Sequence, residues 1–220
     1  MSSLIGDIVA REAQLIGLAL SACEKEAFER YAAELKKWNS KVNLTAITKD
    51  REIAIKHFVD SLHLITHLSA GDRLLDIGSG AGLPVIPLKI MRPDISMVSV
   101  DAVAKKIHFQ RHVIRLLDLK NIEAVHARIE ELHKTELKSF SVITSRAFTR
   151  LDRFVALAAP LLAEDGVLIA MKGEQAECEI SASDDNLQAG GFAVVSVLRY
   201  TLPENMGERI LTFLKSGKAA

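Results

Sequence analysis

Asp76-Ile-Gly78-Ser-Gly80-Ala-Gly82-Leu83-Pro84 is the stretch whose reading decides the fold. It follows a short apolar run, Leu74–Ile77, and opens an amphipathic stretch, Pro84–Met91, so the glycines stand between a strand and a helix. Glycines there let the backbone approach a ligand closely, and a proline near the first helical turn costs no hydrogen bond. A tight strand-to-helix turn without a ligand is the plainer reading. It suits a single Gly-x-Gly better than three alternating glycines at the carboxyl end of a first strand.

Working outward, apolar runs at Met97–Val100, Ile122–Val125, Val142–Thr144 and Val167–Met171 alternate with helical patterns at Val103–Leu119, Asp152–Leu162 and Glu174–Gln188. Such alternation implies a parallel sheet with right-handed crossovers. Phe192–Tyr200 and Glu208–Leu214 are joined by Thr201–Gly207 without room for a crossover, so they are expected to pair as an antiparallel hairpin. Before the loop the chain reads as helical. Ser21 and Glu24 have the form of a capping box ahead of Phe28, Tyr31, Ala32, Leu35 and Trp38, and Asp50 is expected to cap a second helix with Ile55, Phe58, Val59 and Leu62 on its apolar stripe. The expectation is an α/β Rossmann-like fold. It has a seven-stranded sheet with one reversed strand at an edge. A helical extension (1–70) joins the domain (71–215) in one compact unit, and 216–220 form a tail.

Composition narrows the class of partner. Lysine plus arginine equals aspartate plus glutamate at 28 each, so nucleic-acid contact must come from a local patch. Cys23 and Cys178 lie far apart and outside any Cys/His cluster, which argues against a disulfide framework or a metal site and for a reducing, cytoplasmic setting. No apolar run reaches signal or membrane-spanning length, so neither secretion nor a membrane is expected.

Charge and spacing then choose among ligands. The dinucleotide fingerprint Gly-x-Gly-x-x-Gly would place its third glycine where Leu83 stands. Asp76 beside the loop would repel a pyrophosphate yet attract the ammonium or sulfonium of S-adenosylmethionine. Asp101 closes the second strand, where a carboxylate accepts ribose hydroxyls; its other reading is an N-cap for the next helix. Ile129 and Glu130, after the third strand, are candidates for adenine contact and for accepting the exocyclic amine, although charged loop residues are as often simply solvated.

Trp38-Asn39, Asn43-Leu44-Thr45, His57–Ser61, Asp76–Pro87, Arg128–Glu131 and Ser145-Arg146-Ala147-Phe148 together resemble the RsmG/GidB family of small-subunit ribosomal RNA guanine-N7 methyltransferases. The resemblance implies the class I S-adenosylmethionine-dependent methyltransferase type of the Rossmann-like fold, S-adenosylmethionine as cofactor and small-subunit ribosomal RNA, folded or assembled, as partner. Gly78, Leu83, Ile129, Glu130 and Arg146 match the family's cofactor-binding positions; Asp76, Gly80 and Asp101 join them on the arguments above. Ala81 and Val85 depart from the proline and glycine expected there.

The remaining residues fit that chemistry. Thr144–Phe148 contains neither an Asn/Asp-Pro-Pro-aromatic motif for an exocyclic amine nor a cysteine for attack through carbon. Guanine N7 carries an unprotonated lone pair and needs no general base, so no catalytic residue is assigned. Arg146 is suited to a guanine O6, a phosphate, the cofactor carboxylate, or merely a surface ion pair. His57 and Asp60 read as a hydrogen-bonded pair or a solvated helix face. Lys36, Lys37 and Lys41, with Lys105, Lys106, His108, Arg111, His112 and Arg115, are the basic clusters available to RNA.

Overall fold

The computed structural model describes residues 5–132, 139–174 and 176–217. The chain begins with α1 (Ile5–Gln14) and α2 (Ala22–Val42), then a helical run made of α3 (Asp50–Glu52), a π-helical stretch (Ile53–Val59) and α4 (Asp60–Leu62). The alternating part follows as β1 (Arg73–Ile77), α5 (Val85–Met91), β2 (Ser96–Asp101), α6 (Ala104–Leu116), β3 (Ile122–His126), α7 (Ile129–Leu132), β4 (Phe140–Arg146), α8 (Leu151–Ala158) and β5 (Leu162–Lys172). It closes with α9 (Ala176–Ala189), β6 (Phe192–Thr201) and β7 (Glu208–Ser216). Of the expected helix from Glu174, Gln175 lies outside the described residues, as do residues 218–220 of the expected tail.

Local signals explain most boundaries. The Ser21 hydroxyl accepts the Glu24 N–H at 3.3 Å while the Glu24 carboxylate accepts the Ser21 N–H at 2.6 Å, the reciprocal capping box expected. Asp50, by contrast, is not a cap. Lys49 holds that position without a side-chain bond, and Asp50 is the first helical residue. The helix beyond it widens to π geometry and buries Ile53, Ala54, Ile55, His57, Phe58, Val59, Asp60 and Ser61, not just one apolar stripe. α1, which the sequence reading did not single out, buries Ile5, Ile8, Val9 and Ala13.

The seven strands form one sheet in the order β3-β2-β1-β4-β5-β7-β6. β1 pairs in parallel with β2 and β4, β4 with β5, and β2 with β3. The hairpin is antiparallel as expected, but the reversed strand is not at the edge: β7 inserts between β5 and β6, with Ala170 opposite Thr212 and Thr212 opposite Val197. β7 is the more apolar strand, burying Ile210 through Leu214, whereas β6 buries only Phe192. Burial therefore draws β7 into the interior and leaves β6 to face solvent.

Alternate strand residues feed two apolar clusters, one on each sheet face. Leu74, Met97, Val142, Ile169, Leu211 and Phe213 pack with α1, α2, the π-helical stretch and α5, while Leu75, Val98, Val100, Ile143, Leu168 and Leu214 pack with α8 and α9. The N-terminal helices are thus one of three layers, contributing Phe28, Tyr31 and Phe58, whose rings lie within 5.2 Å of one another in the pairs Phe28–Phe58 and Tyr31–Phe58. Because Leu211 is fully buried, Leu211→Ala is expected to cost about 2–5 kcal/mol in urea unfolding. The exposed Val195→Ala on β6 should cost less than about 0.5 kcal/mol. Equal costs would contradict the inserted position of β7.

Candidate functional site

The carboxyl ends of β1, β2 and β4 converge on the glycine loop. Gly78, Gly80 and Gly82 all adopt positive φ (70°, 60° and 86°), a conformation that admits glycine and few other residues. A Cβ built on Gly80 would find no atom nearer than Gly78 O at 4.0 Å, so the space above that peptide is open. A Cβ on Gly78 would instead come within 2.5 Å of the Phe148 ring, which lies against the glycine from the β4 side. Beyond the loop is a cavity of about 570 Å³ lined by Gly78, Asp101, Ile129, Glu130 and Phe148, with Lys106, Arg128 and Arg153 also on its wall.

The expected ligand residues divide between this cavity and its supports. Asp101 is in the wall; its Oδ2 accepts the Gly80 N–H at 3.0 Å, its Oδ1 accepts the Val103 N–H at 2.8 Å, and Lys106 Nζ stands 3.5 Å away. Val103, not Asp101, is the N-cap of α6. Ile129 and Glu130 begin α7 and line the same cavity, Ile129 buried and Glu130 exposed. Leu83 is buried in the apolar cluster beside α5 and does not line the cavity.

Asp76 also lies beneath the loop, fully buried. Its Oδ2 accepts the Val85 N–H at 3.3 Å, and its Oδ1 has no partner among the described residues. Burial pushes this carboxyl well above the usual range; the Val85 amide and Arg146 oppose the shift and Asp101 adds to it.

Two supports were not legible as such. The Gln110 amide, on the buried side of α6, donates to Ser79 Oγ at 2.8 Å and to Gly80 O at 2.9 Å, and accepts from Ser99 Oγ. The Tyr31 hydroxyl, reaching from α2, donates to Ala81 O at 2.5 Å. A lone glutamine or tyrosine among apolar positions is a weak signal by itself. The helical spacing that places Gln110 beside Phe109 and Val113 on the buried face could have flagged it.

Arg146, at the end of β4, faces a second cavity of about 290 Å³ lined by Lys56, His57, Asp60, Arg146, Lys172 and Arg209, among others. Its Nη1 donates to Lys56 O at 3.2 Å and to Asp60 Oδ2 at 3.4 Å, and its Nη2 lies 3.5 Å from His57 Nδ1. His57 and Asp60 are therefore neither a solvated face nor bonded to each other; both are buried, Asp60 accepts from Arg146, and His57 Nδ1 lies 3.3 Å from Lys56 O as well as beside Arg146 Nη2. Asp60 Oδ1 also accepts the Tyr200 hydroxyl at 2.8 Å, and Arg209 Nε stands 3.6 Å from Oδ2. Ala147, with φ of 52°, lines both cavities.

The basic clusters are partly consumed within the protein. Lys36 pairs with Asp50, Lys37 with Glu34, His112 with Glu34 and Lys106 with Asp101, and Arg111 donates to Ala124 O. Among the described residues no group of three or more His, Cys, Asp or Glu is placed to hold a metal ion, and no helix is long and apolar enough to cross a membrane.

Burial, then the charge of Arg146, pushes the His57 imidazole down to about 3. The unfolded chain therefore takes up a proton that the folded protein refuses. The stability held above pH 6.5 is lost as pH falls through that value toward 3. Between pH 7 and pH 5 this one group is expected to cost up to about 2 kcal/mol. His57→Gln should show a correspondingly flatter pH dependence in denaturant titrations; parallel profiles for the two proteins would assign the acid sensitivity elsewhere.

Known proteins agree with this architecture. The chain is 48% identical over 197 residues to ribosomal RNA small subunit methyltransferase G of Geobacter metallireducens, covering 90% of each. It is 37% identical over 196 residues to the protein of the same name from Staphylococcus saprophyticus, covering 88% of this chain and 82% of that one. Among solved structures, TYW2 of M. jannaschii in complex with AdoMet superposes with a TM-score of 0.56 at 14% identity, covering 71% of this chain and 74% of that one, which is a likeness of fold. Residues 24–206 match the family described as rRNA small subunit methyltransferase G, GidB, and the chain belongs to that family.

Proposed function

We propose that the protein transfers a methyl group from S-adenosylmethionine to N7 of a guanine in small-subunit ribosomal RNA, with the cofactor in the larger cavity. The observation that carries this reading is the open space above Gly80, at the carboxyl end of β1 and beside the Asp101 carboxylate. Asp101 accepts the ribose hydroxyls, Ile129 lies against the adenine, and Glu130 accepts its exocyclic amine. Gly78 and Gly80 leave room for the amino-acid portion, which Asp76 beneath them attracts through its unpaired oxygen; Leu83 holds the loop from the core side. Family membership supports the RNA substrate and the fold supports the cofactor class.

When bound, S-adenosylmethionine supplies the methyl group: the N7 lone pair forms the new N–C bond while the S–C bond breaks and leaves its electron pair on sulfur. No proton has to be removed from N7, so the chain's residues chiefly align the reactants and exclude water. The helical extension and the methyltransferase domain act as one unit, consistent with the apolar cluster that α1, α2 and the π-helical stretch share with the sheet among the described residues. The protein acts in the cytoplasm on folded RNA or an assembled subunit. A chain with no basic excess neutralises few phosphates nonspecifically, and N7 in a regular A-form duplex faces a groove that side chains cannot read.

Labelled methyl incorporation into small subunits, followed by mass spectrometry of the nucleosides, should yield 7-methylguanosine, and a duplex of the same sequence should take up almost none. Equal labelling of duplex and particle would contradict the reading. Gly80→Val both fills the open space and forces a β-branched side chain into a positive φ, so it should abolish cofactor binding in calorimetry while circular dichroism shows the sheet and helices still folded. Glu130→Ala, at an exposed position, should weaken it by about 0.5–1.5 kcal/mol. Unchanged affinity in both variants would move the cofactor elsewhere.

A further inference from the structure

We propose that Gln110 of α6 and Tyr31 of α2 are positioning residues for the cofactor: together they fix the peptide groups of the glycine loop that receive its amino-acid end. The inference rests on the reading above, in which the larger cavity and the space above Gly80 hold S-adenosylmethionine. It gives two buried side chains a role toward one portion of a ligand that neither of them touches.

The loop has to be held from outside. Gly78, Gly80 and Gly82 all sit at positive φ, and a run of three alternating glycines has many backbone conformations open to it. Its peptide orientations are therefore set by hydrogen bonds more than by sterics. The orientation of the peptide between Gly80 and Ala81 matters to a ligand. Its carbonyl is turned toward α6, so the trans geometry of the peptide sends the Ala81 N–H the opposite way. That N–H has no partner among the described residues, and a donor there suits the carboxylate of an amino acid. Turned over, the same peptide would present an oxygen, which repels a carboxylate.

Gln110 chooses between the two. Its side chain is fully buried, and its Nε2 donates to Gly80 O at 2.9 Å and to Ser79 Oγ at 2.8 Å. A carbonyl oxygen only accepts, so the amide nitrogen must face the loop, while the Ser99 hydroxyl of β2 donates to Oε1. Both N–H donors and the oxygen are engaged, and the amide cannot swing away without leaving buried groups unpaired. A side chain that merely filled this space would be apolar, as the buried Phe109 and Val113 on the same helix are, because an amide out of water is costly unless bonded.

Tyr31 holds the next peptide. Its hydroxyl, fully buried, donates to Ala81 O at 2.5 Å, and its ring stacks on Phe58 at 5.1 Å and Phe109 at 6.2 Å between centroids. Burial pushes the phenol far above its ordinary range, so the hydroxyl keeps its proton and remains a donor. Two consecutive carbonyls, Gly80 O and Ala81 O, are thus tied to two helices on the core side. Asp101 takes the Gly80 N–H from the ribose side, which completes the hold on that residue.

The test uses the full chain and two ligands in calorimetry. S-adenosylhomocysteine carries the amino-acid end, and 5′-methylthioadenosine keeps the adenosine and the sulfur without it. Gln110→Met preserves the length and bulk of the side chain and removes both donors. It should bind S-adenosylhomocysteine about 10-fold more weakly than wild type and methylthioadenosine within about twofold. Tyr31→Phe removes one hydroxyl from an unchanged aromatic stack and should show the same split, at about 5-fold. For either residue, equal losses on the two ligands would overturn its assignment. So would an unchanged affinity for S-adenosylhomocysteine, whatever the change in melting temperature, since that is the mark of packing alone. Should Gln110→Met fail to fold, Tyr31→Phe decides by the same comparison. A wild-type protein that bound neither ligand would instead remove the underlying reading of the cofactor site.

Discussion

The loop between β1 and α5 must turn sharply through three left-handed glycines and still satisfy its peptide groups, and much of the structure is arranged around that demand. The N–H groups of Gly78 and Gly80 go to Val100 O and Asp101, the carbonyl of Gly80 to Gln110, and the carbonyl of Ala81 to Tyr31. A buried peptide group left without a partner costs on the order of 1–3 kcal/mol, so these four bonds decide whether the loop has one shape or several. They come from β2, α6 and α2, so helices far from the loop in sequence are part of its construction. The N-terminal helices are thus part of the loop's support.

The end of β4 follows a different logic. Asp60 is buried among Tyr200, Arg146 and Arg209, and His57 beside it stays uncharged. Removing two ions from water usually offsets most of their attraction, so such a cluster contributes little net stability but fixes orientation. A carboxylate and the Lys56 carbonyl hold one guanidinium, with a neutral imidazole beside it. The arrangement costs stability in acid and gives a side chain with a single direction.

Much of this was legible beforehand. The strand–loop–helix rhythm, the capping box at Ser21 and the terminal hairpin follow from spacing and turn chemistry, because each is a local signal. The order of β7 and β6 was not, since pairing within a hairpin does not say which strand meets β5; only the comparison of their apolar content does. The π turn was hidden because an all-round buried helix shows no clear period, and His57 and Asp60 consequently looked like a polar face. Lys36 and Lys106 read as free cations because Asp50 and Asp101, which neutralise them, belong to other elements. Of the eight expected ligand residues, Gly78, Asp101, Ile129 and Glu130 lie on the larger cavity, Gly80 has open space above it without lining that cavity, Asp76 and Leu83 lie beneath the loop, and Arg146 faces its neighbour.

Trp38 is the single tryptophan of the chain. Its indole packs 5.6 Å from Phe109 and 5.3 Å from His112, ring centre to ring centre, on the helix whose Gln110 holds the glycine loop. The protein therefore carries an intrinsic fluorophore against the element that shapes its ligand cradle. A shift of α6 changes the aromatic and imidazole surroundings of that one indole, so emission from the unlabelled protein is an optical record of loop order, read without attaching a dye.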